Sequence, residues 1–186
     1  MPATTPTGSW TITDFTESGF VRSATSRSHA NTVVGPLIRE QHRERVEGYV
    51  QSGVDEGATL AVGGKRVDRP GYFFQPTVFT GVRPDMTIAR EEIFGPVLSV
   101  FAYRDLEQAI AIANDSQFGL AGAVISPDRD KARQVAMQLR TGYVGLGIGV
   151  PNFNGSWGGY KQSGVGREWR EGLAEYTETK HITWIA

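Results

Sequence analysis

The stretch of sequence that decides the fold is VLSVFAYRDLEQAIAIANDSQFGLAGAVIS, residues 97–126. Its first seven residues, Val97–Tyr103, form an apolar run that is typical of a buried strand. Asp105 follows as a helix N-cap, and Gln108 stands where it would complete a capping box, so a helix is predicted next. A second strand is predicted at 121–126. Strand, helix and strand in this order predict a βαβ unit.

The same alternation continues on both sides of this stretch. On the amino-terminal side, Glu40–Glu56 carries an apolar stripe at three- and four-residue spacing and predicts a helix, and 58–62 predicts a short strand. On the carboxyl-terminal side, a helix is predicted at 128–140 and a strand at 143–148. The predicted fold class is therefore α/β, a mostly parallel sheet flanked by helices.

Two segments do not follow the alternation. Residues 71–79 are rich in aromatic residues, but Pro76 cannot donate to a strand ladder, so an edge strand or an irregular segment is predicted. Residues 1–33 are rich in Ser and Thr with little periodicity, and they predict an arm or linker. The sequence is thus divided into this arm and a single domain at 34–186.

Composition excludes several functional classes. The 186 residues contain 19 Lys and Arg against 20 Asp and Glu, a balance that argues against a nucleic-acid or anionic-membrane partner. The longest apolar runs are too short to cross a bilayer, and the amino terminus has no secretory h-region. The chain contains no cysteine, which excludes disulfides and thiolate metal sites. These features predict a cytoplasmic protein.

The remaining motifs give weak evidence for chemistry. The glycines at 145–149 are not followed by a helix start, as a dinucleotide-binding loop requires. The segment 158–168 has its lysine before the later glycines, unlike a P-loop. His29, His42 and His181 are too far apart for metal-ligand spacing, so no metal site is predicted, and His42 is predicted to be solvated.

The segment Glu91-Glu92-Ile93-Phe94-Gly95-Pro96-Val97 places two carboxylates and an aromatic ring before a Gly-Pro turn and a strand. Taken alone, this pattern favours two solvated acids and one buried ring. A loop that enters a central parallel strand is also a place where ligands can bind. Both interpretations stay open from the residues themselves.

This segment resembles the signature of the aldehyde dehydrogenase superfamily. Five further segments resemble family motifs in the same order: GPLI at 35–38, GG with GYFFQPTV at 63–78, NDSQFGLA at 114–121, GYKQSGVGRE at 159–168 and YTETK at 176–180. The likeness extends over residues 34–185 and identifies them as similar to the carboxyl-terminal part of the catalytic domain.

The resemblance implies roles for four residues. In the family, the residue matching Glu92 accepts hydrogen bonds from ribose hydroxyls beside the nicotinamide of NAD or NADP, and the residue matching Phe94 packs against that end. Glu91 would be its solvated neighbour. Phe153 and Trp157 match a region that borders the aldehyde entrance. The sequence departs from the family at Gly147, where relatives carry Asn, and before the paired glycines, where relatives carry Pro-Phe.

The resemblance also implies what these 186 residues lack. The family reaction needs a cysteine thiolate, a glutamate that activates water and a glycine-rich cofactor domain, all of which precede the segment matching Gly35-Pro36. No catalytic residue is therefore predicted in this chain. We expect the isolated chain to be inactive as an NAD(P)-dependent aldehyde dehydrogenase and to bind the cofactor weakly or not at all.

Three interpretations follow from this expectation. The chain is a truncated product of a dehydrogenase gene, a non-catalytic assembly or regulatory module, or one part of a split dehydrogenase. The alternating segment His181–Ile185 predicts a carboxyl-terminal strand. Such a strand would pair with the sheet edge of a second copy or of a full-length family subunit.

Overall fold

The computed structural model describes residues 34–147 and 152–184. The chain divides into two compact units, with the boundary between Ala102 and Tyr103.

Unit 1 is a small sheet covered by a long helix. Its elements are α1 (Glu40–Asp55), β1 (Thr59–Val62), β2 (Thr77–Thr80), α2 (Thr87–Arg90) and β3 (Val97–Ser99). The strand order is β1-β2-β3, with β1 antiparallel and β3 parallel to the central strand β2.

The core of unit 1 forms where the apolar stripe of α1 meets β2. Val46 and Val50 of α1 are buried together with Phe79 of β2, and Ile88 and Ile93 complete the contact. A Cβ atom at Gly53 would lie 3.1 Å from the Phe79 ring, so glycine lets the helix approach the sheet closely. Of the stripe predicted from spacing, Val46 and Val50 are buried and Tyr49 is half-buried, whereas Val54 is exposed and Gly53 takes its place at the sheet.

Two predictions for unit 1 need correction. The strand predicted at Val97–Tyr103 ends at Ser99, and Val100 and Tyr103 are exposed. An apolar run alone does not distinguish a strand from exposed apolar chain. Residues 71–76 are irregular, as predicted, but Thr77–Thr80 is the central strand of the sheet. Pro76 does not prevent this strand, because it lies one residue before the strand begins and its missing N–H is not needed in the ladder.

Unit 2 contains three helices and five short strands among the residues that the structure describes. They are α3 (Leu106–Asn114), β4 (Phe118–Gly119), β5 (Ala121–Val124), α4 (Arg129–Ala136), β6 (Tyr143–Leu146), β7 (Ser156–Trp157), β8 (Tyr160–Lys161) and α5 (Trp169–Gly172), which a 3₁₀ turn follows at Leu173–Tyr176. β5 and β6 are parallel and flank α4 in sequence, as predicted. β4 and β8 are antiparallel.

Side-chain caps begin two helices of unit 2 where the sequence predicts them. The Asp105 carboxylate accepts the Gln108 amide at 2.8 Å, and the Asp128 carboxylate accepts the Lys131 amide at 3.0 Å. The Gln108 side chain accepts the Arg104 amide instead of closing a capping box. α4 ends at Ala136, before the predicted end at Arg140.

Lys161 has a structural role that explains its position among glycines. Its ammonium donates to the carbonyl oxygens of Asn114 and Ser116, each at 2.9 Å. These oxygens lie at and beyond the carboxyl end of α3, where carbonyls are unpaired and a positive charge is favoured. The Lys161 ammonium thus bonds to backbone carbonyls of the protein itself, which agrees with the prediction that this segment is not a phosphate-binding P-loop.

The α/β fold class is confirmed. Among the described residues, two of the four strand pairs are parallel. Within 34–147 and 152–184, no helix is both long and apolar enough to span a membrane.

Candidate functional site

The segment Glu91–Pro96 forms a loop in unit 1 between α2 and β3. Ile93 is buried in the core, whereas Glu92 and Phe94 on either side are exposed, Phe94 to 69%. Because Ile93 anchors the middle of the loop, its two neighbours present a carboxylate and an aromatic ring at the surface. The Phe94 ring, which the sequence pattern without the family resemblance favoured as buried, is exposed.

Gly95 brings this loop against α1. A Cβ atom at this position would lie 2.6 Å from Cγ2 of Val46, closer than real side-chain contacts allow. The next residue, Pro96, accepts the Thr77 amide of β2 at 2.8 Å. The loop is thus held against the helix on one side and the sheet on the other.

Three side chains of α1 contact the loop. His42 Nε2 donates to the Phe94 carbonyl at 2.6 Å, Arg45 Nη2 donates to the Glu92 carbonyl at 2.9 Å, and the Tyr49 hydroxyl donates to the Glu91 carboxylate at 2.7 Å. Residues spaced by three and four lie on one face of a helix. α1 therefore holds successive points of the loop with one row of side chains.

This row corrects one expectation. His42 was predicted to be solvated, but it is half-buried and bonded to the carbonyl of Phe94, 52 residues away in sequence. Glu91 is exposed, and its carboxylate also accepts a hydrogen bond from Tyr49. The three-and-four spacing from His42 to Tyr49 was visible in the sequence. Its partners were not, because they depend on how α1 packs.

Phe94 has a left-handed backbone with φ of 53°, which costs a residue with a bulky side chain about 1 kcal/mol or more. The surrounding structure must supply that free energy. The hydrogen bond from His42 and the close packing of Gly95 act on either side of this strained residue. Strain of this kind occurs often at functional sites.

Glu56 fixes the short helix that leads into the loop. Its carboxylate accepts the Thr87 hydroxyl and amide at 2.6 Å each and the Ser52 hydroxyl at 2.8 Å. The hydrogen bond from the Thr87 hydroxyl, followed by those from Ser52 and the Thr87 amide, lowers the pKa of this carboxyl. An ionised Glu56 therefore caps α2 from the end of α1.

The residues of the loop fit the ribose and ring of a nicotinamide nucleotide. Among the described residues, the Glu92 side chain has no hydrogen-bond partner, so both its oxygens are available as acceptors. A carboxylate can accept two hydroxyl donors, and an exposed phenyl ring provides an apolar surface. The loop thus offers a hydrogen-bond acceptor for hydroxyl groups and an apolar surface for an aromatic ring.

Unit 2 contains a second candidate site, an aromatic cluster around Trp157. The Trp157 and Trp169 rings stack with centroids 5.2 Å apart, and the Phe153 ring lies 4.8 Å from that of Trp169. Tyr143 packs on Trp157 at 5.4 Å. Phe153 is 68% exposed, so the cluster presents an aromatic surface. The structure thus joins Phe153 and Trp157 through Trp169, which the sequence did not single out.

Backbone contacts set the position of Trp157. Trp157 and Glu168 form an isolated antiparallel bridge, and the Arg167 guanidinium donates to the Gly159 carbonyl at 3.0 Å. A Cβ atom at Gly158 would overlap the Gly166 carbonyl. The glycines of this segment therefore serve close backbone packing.

No group of three or more side chains able to hold a metal ion occurs in the described part of the chain. Gly147 has φ of 79°, a conformation that suits glycine. Of the other glycines at 145–149, Gly145 lies in β6 and Gly149 lies outside the described residues.

Comparisons with known proteins give one consistent result. A model described as the aldehyde dehydrogenase family matches residues 18–182. Betaine aldehyde dehydrogenase of Bacillus subtilis is 50% identical over 160 residues, which are 83% of this chain and 33% of that protein. A 3-succinoylsemialdehyde-pyridine dehydrogenase of a Pseudomonas species is 49% identical over 160 residues, again 83% of this chain and 33% of that protein.

Solved structures give the same result. A point mutant of betaine aldehyde dehydrogenase from Staphylococcus aureus in complex with NAD+ superposes with a TM-score of 0.82 at 44% identity, over 92% of this chain and 37% of that chain. An NAD-dependent aldehyde dehydrogenase from Sinorhizobium meliloti has a TM-score of 0.77 at 39% identity, over 85% of this chain and 34% of that chain.

The chain spans about a third of the length of the curated relatives it matches. The family match begins at residue 18, inside the segment predicted as an arm. Residues 1–33 lie outside the described residues, so the boundary at Val34 stays a prediction.

Proposed function

The chain belongs to the aldehyde dehydrogenase family, and from this premise we propose that it contributes nicotinamide-ribose contacts and an aldehyde-facing aromatic surface to an NAD(P)-dependent aldehyde dehydrogenase. The observation that carries the proposal is the loop geometry: Ile93 is buried while Glu92 and Phe94 are presented outward. When bound, NAD or NADP supplies the acceptor for the hydride that leaves the aldehyde.

Each candidate site residue has a role in this proposal. The Glu92 carboxylate orients the ribose by accepting its hydroxyls, and the Phe94 ring excludes water from one side of the nicotinamide. Phe153 and Trp157 contact the apolar part of an aldehyde. The support for these roles is exposure and chemistry in unit 1 and ring geometry in unit 2.

We further propose that these 186 residues alone do not oxidise aldehydes. The family reaction proceeds through attack of a thiolate on the carbonyl carbon, and the sequence contains no cysteine. A serine is a poor substitute, since an alcohol ionises far less readily than a thiol of pKa about 8.5. Complementation by a chain that carries the cofactor domain and the cysteine would supply what is missing. The location of such a complex is proposed to be cytoplasmic.

Stopped-flow measurement of NADH production tests this proposal. The isolated chain should give no NADH from a panel of aldehydes. Addition of a polypeptide with the part of the Bacillus subtilis relative that this chain does not cover should restore production, and Glu92→Ala should reduce it through a raised KM for NAD+. Turnover by the isolated chain would overturn the proposed need for a thiolate.

A parallel binding measurement tests the partial cofactor site. Because only the nicotinamide-ribose end would be contacted, the isolated chain should bind NAD+ with a Kd of about 1–10 mM, roughly −4 to −3 kcal/mol. Calorimetry that gives a micromolar Kd would contradict the expectation of a partial site.

A second proposal, assembly through the carboxyl-terminal tail, has its own observation. Residues 177–184 form no strand within this chain, and Ile182 and Trp184 are exposed to 71% and 84%. Exposed apolar residues on a segment without secondary structure of its own favour pairing with a second copy or a family subunit. Light scattering should show a dimer or larger species that Trp184→Ser weakens, and a monomer at high concentration would count against the proposal.

A further inference from the structure

The two adjacent glutamates of the loop have different environments. The Glu91 carboxylate accepts a hydrogen bond from the Tyr49 hydroxyl at 2.7 Å. Within the described residues, the carboxylate of Glu92 accepts none, and only its backbone carbonyl is bound, by Arg45 at 2.9 Å. One acid is therefore held by the protein while the other is available.

Arg45 and Tyr49 act on the loop as a connected pair. Arg45 Nη2 donates to the Tyr49 hydroxyl at 3.2 Å, and its guanidinium carbon lies 5.3 Å from the centroid of the Tyr49 ring. Tyr49 in turn donates to Glu91. A donor that itself accepts a hydrogen bond from a cation is polarised, which strengthens its own bond to the carboxylate.

We propose that Tyr49 is a positioning residue that reserves Glu92 for the cofactor by holding Glu91 on α1. This inference rests on the proposed function, in which Glu92 accepts the ribose hydroxyls. The buried Ile93 fixes the loop after the two acids, Arg45 holds the backbone carbonyl of Glu92, and Tyr49 holds the side chain of Glu91. With its carboxylate bonded to Tyr49, Glu91 does not compete for the same ligand.

Tyr49→Phe is the test variant because it removes only the hydroxyl. The Tyr49 ring packs against the core of unit 1, and phenylalanine retains that packing. Tyr103→Phe is the matched control, since Tyr103 is 62% exposed and no hydrogen bond of its hydroxyl occurs among the described residues. Any general effect of losing a phenol hydroxyl would appear in both variants.

The experiment is an NMR titration of the full 186-residue chain with NAD+ up to about 20 mM, combined with amide hydrogen exchange. In the parent chain, NAD+ should shift the Glu92 and Phe94 resonances. Tyr49→Phe should weaken the apparent Kd about three- to tenfold, the range of one hydrogen bond. It should also speed exchange of the Glu91 amide, which donates to the Thr87 carbonyl at 3.0 Å, by a similar factor. Exchange in β2 and both measurements in Tyr103→Phe should stay unchanged.

A double variant gives an independent check on the partner of Tyr49. If Tyr49 acts through Glu91, then Tyr49→Phe combined with Glu91→Ala should weaken the apparent Kd no further than Tyr49→Phe alone. Additive effects would mean that the hydroxyl acts by another route, and the inference would be wrong.

The outcomes separate the inference from the function it rests on. Shifts at Glu92 and Phe94 with the same Kd in Tyr49→Phe and the parent chain would overturn the inference and leave the proposed function standing. No shift at these residues at 20 mM NAD+ in the parent chain would overturn the cofactor role of the loop, and with it the reservation of Glu92.

Discussion

Replacement of Gly142 by alanine should destabilise unit 2 by about 3 kcal/mol or more. A Cβ atom at this position would overlap the carbonyl oxygen of Gly158 and lie 3.2 Å from the Cα atom of Gly159. Both neighbours are backbone, so no side chain can rotate away to make room. Insertion of one carbon into close packing typically costs about 1–3 kcal/mol, and more where the neighbours cannot move.

Gly158 is itself fixed, which is why the upper end of this range is expected. A Cβ atom there would overlap the Gly166 carbonyl, and the Arg167 guanidinium donates to the carbonyls of Gly159, Val165 and Gly166. If alanine at position 142 displaces the backbone of Gly158, Trp157, which precedes Gly158 in sequence, should therefore move as well. Denaturation in urea followed by tryptophan fluorescence measures both the lost stability and the changed ring environment.

Gly145→Ala is the matched control for this prediction. Gly145 lies three residues further on in β6, and the nearest heavy atom to its added Cβ would be the Tyr143 hydroxyl at 3.5 Å, an ordinary contact. This variant should change the free energy of unfolding by less than about 1 kcal/mol, with a gain possible from the stiffer unfolded chain. Equal stability of the two variants would contradict the role assigned to Gly142.

Local signals in the sequence predicted local structure well. α1 begins at Glu40 as expected, and Val46 and Val50 of its predicted apolar stripe are buried, although Val54 is exposed. Asp105 and Asp128 cap the helices that follow them, because an N-cap bonds to an amide only three residues away. Such features depend on neighbours in sequence and need no knowledge of the tertiary fold.

Features that depend on distant partners were predicted less well. The apolar run from Val97 to Tyr103 contains a strand of only three residues, because strand length is set by pairing with β2. The central position of β2 was missed for the same reason. Strand direction and order come from contacts between residues far apart in sequence.

The candidate site shows the same division. Glu92 and Phe94 came from the family resemblance, whereas the residues alone favoured a solvated acid and a buried ring. The row of α1 side chains that holds the loop, His42, Arg45 and Tyr49, was not predicted. A helix face can be read from spacing, but the carbonyls and carboxylate that it binds are brought there by the packing of Val46 against Gly95.

Phe79→Ala should have the second large effect, a loss of about 3–5 kcal/mol from unit 1. Phe79 is fully buried and contacts α1 so closely that a Cβ at Gly53 would lie 3.1 Å from its ring. Removal of the ring leaves a cavity between the helix and the central strand, and the rigid elements around it cannot collapse to fill it. Urea denaturation followed by far-UV circular dichroism measures the loss.

Phe94→Ala removes the same ring as Phe79→Ala, but from an exposed position instead of a buried one. Its ring is 69% exposed, and alanine at φ of 53° carries the same kind of backbone strain. The free energy of unfolding should therefore change by no more than about 0.5 kcal/mol. NAD+-dependent shifts at Glu92 should weaken nonetheless, because the apolar surface beside the ribose contact is gone. A large loss of stability in Phe94→Ala would mean that the ring serves the fold of unit 1, and the outward presentation of Phe94 would no longer support a cofactor site.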